Sequence, residues 1–366
     1  MKSNYDILEN HIRLIDTRNR ESITDRVLGI NIDKFFMPSV ANVIGTDLSK
    51  YKLITKGKFA CNPMHVGRDE RLPVALYDEE KPAIVSPAYF MFEVVDNSIL
   101  NEDYLMMWFR RPEFDRICWL HTDGSVRGGI TWDDICRLEL PIPPIENQLE
   151  IVNSYKAITE RIALKQKIND NLDATIYAKF QDMFQKNKEI LFSGEQLEDW
   201  CIKPLSFLAD FKYGKMATSE ILCEKGFPVY SGYRIVGYCN KYMFKEPQLV
   251  VLARGVSGTG EVRISPPCCH LTNLSIAVLL YDRTYINYLL YYLENDNLIS
   301  LDSGSAQSQI TINDLSMHKV MLPPYSKVVE FDNIAKQLRS IIDENNKEIE
   351  VLEELKKVLL TTISSR

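Results

Sequence analysis

The 366-residue sequence has no Cys-x-x-Cys pair among its eight cysteines (61, 118, 136, 201, 223, 239, 268 and 269), and no histidine stands at zinc-finger spacing from two of them. A structural zinc site is therefore not expected. The one tight group, Cys268-Cys269-His270, places adjacent cysteines that diverge on an extended strand, so these read as buried thiols of a reducing compartment. No uncharged apolar run reaches the roughly 18 to 20 residues that a membrane span needs. The first 21 residues carry Asp6, Glu9, Arg13, Asp16, Arg18, Arg20 and Glu21, unlike a secretory leader or a transit peptide. A soluble, cytoplasmic protein without a membrane partner is expected. Basic excess is missing as well: the net charge is −7, and no segment is basic overall. Phosphate affinity comes from Lys and Arg, so any nucleic-acid role must rest on local patches or on a basic partner.

Catalytic motifs are also absent. The glycine-rich loop Arg254-Gly255-Val256-Ser257-Gly258-Thr259-Gly260 lacks the Gly-Lys-Ser/Thr of a nucleotide loop, and Glu261-Val262-Arg263-Ile264 after it reads as a strand, not as a helix. It is expected to be a hairpin turn. An amino-group methyltransferase would need Asp/Asn-Pro-Pro-aromatic, which neither Asn62-Pro63-Met64-His65 nor Ser265-Pro266-Pro267-Cys268 supplies. No carboxylate pair with a nearby Lys marks a nuclease, and the five histidines (11, 65, 121, 270 and 318) are scattered. No catalytic residue, bound metal or cofactor is expected, and the balance tips toward binding.

What the chain does have is a repeat. Gly124-Ser125-Val126-Arg127-Gly128-Gly129-Ile130-Thr131 returns 180 residues later as Gly304-Ser305-Ala306-Gln307-Ser308-Gln309-Ile310-Thr311, with Asp134 returning as Asp314 and Pro143-Pro144 as Pro323-Pro324. Each copy then runs into about forty helix-favouring residues. Two globular units, each followed by a long helix, predict an internal pseudo-two-fold.

Short β-prone runs such as Lys52-Leu53-Ile54-Thr55, Ala83-Ile84-Val85 and Tyr89 to Val95 mark the first unit as strand-rich. Residues 101–111 predict a short helix stopped by Pro112. In the second unit, Leu249-Val250-Val251-Leu252 and Ser275 to Leu280 are the expected core strands, and 286–294 a matching helix. From 146 to 186, apolar Leu149, Val152, Tyr155, Ile158, Ile162, Leu172, Ile176, Phe180 and Met183 fall at three-four spacing, which predicts one helical stripe about 60 Å long. From 326 to 365, Phe331, Leu338, Asn345, Leu352 and Leu359 recur every seven residues, with Ile342, Ile349 and Ile363 four after members of that set.

Two exposed stripes of this length bury each other best as an antiparallel pair. The expected fold is α+β: two strand-rich domains (1–145 and 191–325) joined by two long antiparallel helices (146–190 and 326–366) in a coiled coil. Its seam would contain Ile158, Ile162, Leu172, Ile176, Leu338, Ile342, Asn345, Leu352 and Leu359. Asn345 either faces Asn169 within that seam or lies at its edge against water.

Local cation clusters remain to be placed. In the first unit Lys50, Lys52, Lys58, Asn62, Arg68 and Arg71 surround a turn-rich segment; in the second Lys215, Tyr233, Arg234, Arg254 and Arg263 do likewise, with Ser257, Thr272 and Asn273 nearby. Arg and Asn are the types that read base edges, and Lys and Ser contact phosphates. The plain alternative is a set of ordinary solvated charges.

The order of segments resembles the DNA-specificity subunit of type I restriction-modification systems. In the first half the resemblance is carried by Lys58-Phe59-Ala60-Cys61-Asn62-Pro63-Met64, Val85-Ser86-Pro87-Ala88-Tyr89-Phe90-Met91-Phe92, Arg111-Pro112-Glu113-Phe114-Asp115, Gly124-Ser125-Val126-Arg127 with Trp132-Asp133-Asp134-Ile135, and Pro141-Ile142-Pro143-Pro144-Ile145-Glu146-Asn147-Gln148. In the second half it is carried by Gly232-Tyr233 with Val236-Gly237-Tyr238, Arg254-Gly255, Leu271-Thr272-Asn273, Gly304-Ser305-Ala306-Gln307 and Leu322-Pro323-Pro324. One departure is Tyr325-Ser326-Lys327-Val328, which stands where the first copy has the Glu-x-Gln run of 146 to 148.

The resemblance implies a subunit without activity of its own. Its two target-recognition domains would each read half of a split double-stranded DNA target, with the helices setting the gap. It would hold two adenine-N6 methyltransferase subunits, through which restriction subunits can join, in a nucleoid-associated complex of a bacterium or archaeon. S-adenosylmethionine and ATP would bind only to those partners. The competing reading is a protein-interaction scaffold built on the coiled coil, with no DNA involved.

Overall fold

The computed structural model describes residues 5–41, 43–64, 66–122, 128–194, 197–255, 258–301 and 309–363. Two compact units divide the chain: residues 1–165 with 347–366, and residues 166–346. Each therefore holds one strand-rich fold together with a stretch of both long helices.

In the first unit, Tyr5–Ile7 pairs antiparallel with Glu139–Pro141 and closes the two ends of the fold on each other. Ile12–Ile15, Phe90–Val94, Lys58–Cys61 and Val74–Tyr77 form, in that order, an antiparallel sheet. A second sheet runs Phe36–Pro38, Val27–Ile30, Ala83–Val85, Lys52–Ile54, with Val27–Ile30 and Ala83–Val85 parallel. The first sheet packs on the helix Glu102–Phe109 through Phe59, Phe92, Phe109 and Phe114; the Phe59 and Phe92 rings stack at 5.0 Å. Asn101 starts that helix by accepting from the Tyr104 amide at 3.1 Å. Pro112 ends nothing beyond that first helix, because it occupies the first turn of a further helix, Pro112–Leu120, where its missing N–H is not needed.

The second unit repeats this plan. Cys201–Pro204 pairs with Lys319–Leu322. An antiparallel sheet is ordered Ala209–Tyr213, Ser275–Leu280, Leu249–Leu252, Val262–Ile264. Its companion is ordered Leu222–Cys223, Ile235–Cys239, Phe227–Tyr230, His270–Leu271, again with one parallel pairing, here the last. Tyr285–Glu294 is the core helix. The glycine-rich segment joins two antiparallel neighbours, Leu249–Leu252 and Val262–Ile264, as expected of a hairpin, with Gly258 and Gly260 at positive φ.

The repeated residues have repeated physical roles. Thr131 accepts from the Asp134 amide and Thr311 from the Asp314 amide, each at 3.2 Å, so each starts a short helix, Trp132–Cys136 or Ile312–Met317. The Ile130 amide donates to Pro63 O at 3.1 Å and the Ile310 amide to Ala253 O at 2.9 Å. On the core helices, the buried Tyr104 and Tyr288 hydroxyls donate to Pro141 O and Met321 O. The repeat segments 124–127 and 304–308 themselves lie outside the described residues.

The units differ where the sequence departs. Gln148 is fully buried; its Oε1 accepts from the Asn101 amide at 2.9 Å and its Nε2 donates to Ile99 O and Pro143 O at 2.8 Å each. The second copy has apolar, fully buried Val328 at this position, and there the buried Asn287 Nδ2 donates to Asp332 Oδ1 at 2.8 Å.

The long helices span Ile145–Phe180 and Tyr325–Thr362. The first continues through a π-turn, Gln181–Gln185, into Lys186–Phe192, longer than its stripe predicted. The two run antiparallel within each unit. In the first, Val152 and Tyr155 share a core with Ile363, Leu359 and Leu360, while Lys165 and Arg161 both pair with Glu348. In the second, Ile176 and Phe180 share a core with Phe331, Ala335, Leu338 and Ile342. Of the remaining expected seam residues, Ile162 is buried, and Ile158, Leu172 and Leu352 are half-buried.

Candidate nucleic-acid interface

In the second unit several strand ends meet at one face, and backbone hydrogen bonds tie them together. The Gly214 amide donates to Ser275 O (3.0 Å), Lys215 to Leu271 O (2.8 Å), Thr272 to Tyr230 O (3.0 Å), Ser231 to Arg234 O (2.9 Å) and Arg254 to Leu274 O (3.1 Å). Ser275 Oγ also donates to Ser231 O at 3.0 Å. Two glycines permit the close approach. A Cβ on Gly214 would lie 2.0 Å from Thr272 O, and one on Gly232, at φ +102°, would lie 2.3 Å from Ser275 Oγ.

This web gathers six of the sequence-predicted residues from distant segments: Lys215, Tyr233, Arg234, Arg254, Thr272 and Asn273. Lys215, Tyr233, Arg234 and Arg254 are exposed; Thr272 and Asn273 are half-buried. Arg234 lies over the Tyr233 ring at 5.4 Å, and Arg254 over Tyr213 at 6.0 Å. Such stacking limits rotamers without removing charge. Tyr213 is in turn fixed, its hydroxyl accepting from the Ile312 amide at 3.1 Å. Thr272 Oγ1 is buried without a hydrogen-bond partner. Arg263 is engaged otherwise, bonding Glu261 at 2.9 Å and Glu294 at 3.2 Å. Ser257 lies outside the described residues.

The first unit's candidates are not drawn together in this way. Lys52 is buried; its ammonium donates to Tyr89 O at 2.6 Å and lies 3.6 Å from Asp16, and burial lowers its pKa. Lys58 pairs with Glu93, Arg68 with Asp69 (2.6 Å), Arg71 with Asp33 (2.9 Å) and Lys50 with Asp47 (3.5 Å). Asn62 Oδ1 accepts from the Met64 amide at 3.2 Å, shaping its own turn. The alternation of charges here gave no sign of which cations would be neutralised.

Sequence reading also missed the aromatic supports. Tyr213 beneath Arg254, and Phe244 beneath Lys212 at 5.9 Å, are remote in sequence from the cations they support, so no local pattern announces them. No helix among the described residues is long and apolar enough to cross a membrane.

Known proteins place this architecture. A family profile described as "Type I restriction modification DNA specificity domain" matches residues 197–356. The putative type I restriction enzyme MjaX specificity subunit of Methanocaldococcus jannaschii is 25% identical over 374 residues, spanning 94% of this chain and 84% of that protein. The MjaVIII specificity subunit of the same organism is 24% identical over 268 residues, 62% of this chain and 61% of that one. The crystal structure of a type I restriction-modification S subunit from M. genitalium covers 99% of this chain and 96% of its own, with a TM-score of 0.66 at 17% identity, which speaks to fold alone. Profile and relatives agree: residues 197–356 carry a type I restriction-modification DNA specificity domain, and the chain is similar over nearly its whole length to a type I restriction enzyme specificity subunit.

Proposed function

We propose that this chain is a type I specificity subunit that reads a bipartite double-stranded DNA target, one half with each recognition fold, and scaffolds adenine-N6 methyltransferase subunits to which restriction subunits can be added. The observation that carries the reading is the duplication of one plan: two sheets, a core helix and a threonine-capped short helix, leading each time into a long helix. A duplicated reader suits a target with two halves. The second unit's convergent Lys215, Tyr233, Arg234 and Arg254 supply phosphate- and base-binding groups on a rigid backbone web. In this reading the first unit contributes Lys50, Lys58, Asn62, Arg68 and Arg71 to its own half-site, and the helices set the gap.

The experiment is methylome sequencing of a host expressing the subunit with its methyltransferase. One helical turn added to both long helices is expected to change the unspecified spacer and leave both half-sites unaltered. Altered half-site bases with an unchanged gap would overturn the reading. The coiled-coil scaffold without DNA predicts no sequence-specific methylation that tracks this chain.

A further inference from the structure

Between Tyr5 and Pro141, nearly every described Lys and Arg sits at ion-pair distance from a carboxylate. Arg20, Lys81 and Arg110 are the exceptions. Between Leu197 and Leu322 the position is reversed: among the described residues only Arg263 is so paired. Three carboxylates of the second fold are occupied by other groups. Asp210 accepts from the Tyr281 hydroxyl, Asp282 from the Thr284 amide and the Tyr325 hydroxyl, and Asp296 from Lys188 and His318. Four of the cations left over lie on aromatic rings instead: Lys203 on Phe207, Lys212 on Phe244, Arg234 on Tyr233 and Arg254 on Tyr213.

A cation already paired with a carboxylate must give up that partner to take a phosphate, and the released carboxylate then repels the DNA. One held over an aromatic ring keeps its full charge available. Sequence-independent affinity for DNA follows the number of phosphates neutralised, with log K falling by about 0.9 per phosphate for each unit of log salt.

We infer that the two recognition folds divide the work unequally: the second is the electrostatic anchor that provides the salt-dependent, sequence-independent affinity for the DNA backbone, and the first contributes little to it. This rests on the DNA-recognition reading above. The anchoring groups are Lys212, Lys215, Arg234 and Arg254. The first fold, its cations neutralised internally, discriminates by base contact and shape once the second has engaged.

The test uses the full-length chain in complex with its methyltransferase subunits and a fluorescein-labelled duplex of arbitrary sequence, titrated by anisotropy over a series of salt concentrations. K215Q combined with R254Q is expected to flatten the log K against log salt plot by about 2, roughly one per cation. R26Q combined with R116Q, two first-fold cations paired with Glu79 and Glu113, is expected to leave it unchanged. The reverse variant D33N with D69N frees Arg71 and Arg68 and is expected to steepen the plot, which protects the test against a loss variant that simply misfolds. Equal flattening by both glutamine pairs, or no steepening by D33N with D69N, overturns the division of labour while leaving DNA recognition intact. A wild-type complex with no salt-dependent binding sinks the recognition reading itself.

Discussion

Asn345 donates its side-chain amide to Asn169 Oδ1 at 2.8 Å, both side chains being buried in the seam between the long helices, and Asn169 donates in turn to Asn346 Oδ1 at 2.9 Å. The polar position in the heptad thus faces its partner and not water. Replacing Asn345 by Leu strands the Asn169 carbonyl oxygen and should cost about 1–3 kcal/mol. Replacing both Asn169 and Asn345 by Leu should recover that loss, because a matched apolar layer leaves fewer groups unsatisfied. Denaturant midpoints of the two single variants and the double give the answer; a double variant no more stable than the singles would rule out this account.

Gln148 provides a second test. Three hydrogen bonds hold its amide in a fully buried site, so Gln148→Leu removes the partners of the Asn101 amide and of two carbonyls and should lower stability by about 2–5 kcal/mol. Val328→Gln, the mirror exchange in the second unit, buries an amide where no bracket exists and should also destabilise. If Val328→Gln proved neutral in thermal melts, the two sites would be interchangeable and the contrast drawn above would fail.

Backbone crowding can be tested with alanine. Gly214→Ala puts a methyl 2.0 Å from a carbonyl oxygen and should cost well over about 1 kcal/mol, loosening the strand ends that carry Lys215 and Arg254. A Cβ on Gly237 meets nothing within 4 Å, so Gly237→Ala should stay within about 0.5 kcal/mol of the parent. Parallel melts, with DNA anisotropy on both variants, separate a packing effect from a general intolerance of substitution.

The cysteines predict a pH effect. Burial pushes the Cys118 thiol up to about 12 from its ordinary 9.0, and Cys61 moves the same way. A folded value raised above the unfolded one gives stability that is whole below pH 9 and falls as pH climbs from there toward 12, since only the unfolded thiol sheds its proton in that range. The denaturant midpoint of the parent should therefore drop faster above pH 9 than that of Cys118→Ala. Mass spectrometry after brief iodoacetamide treatment at neutral pH should find exposed Cys201 and Cys223 alkylated and buried Cys61, Cys118, Cys239 and Cys269 intact.

Much of this architecture could be read before any coordinates. Heptad spacing exposed the C-terminal helix, three-four spacing the central one, and runs such as Leu249–Leu252 the inner strands, because each pattern is local and dictated by one buried face. The strands Tyr5–Ile7 and Ile12–Ile15 escaped notice, since Asp6 and Arg13 interrupt their apolar residues and no turn residue brackets them. The buried Lys34–Asp115 pair, 2.7 Å apart and 81 residues distant in sequence, was likewise invisible: composition counts both as surface charge. The same blindness hid which cations keep their charge available, because neutralisation depends on neighbours brought together only by folding.

The π-turn at Gln181–Gln185 inserts one residue into the winding of the central helix. Phe180 just before it and Phe184 within it both reach the second unit's core, while Lys188 beyond it meets Asp296 at 2.6 Å. Deleting a single residue there would restore regular pitch yet swing every later side chain by about 100°. Lys188 would point away from its carboxylate, so a wider coil at this place is what keeps the incoming chain aimed at the domain that follows.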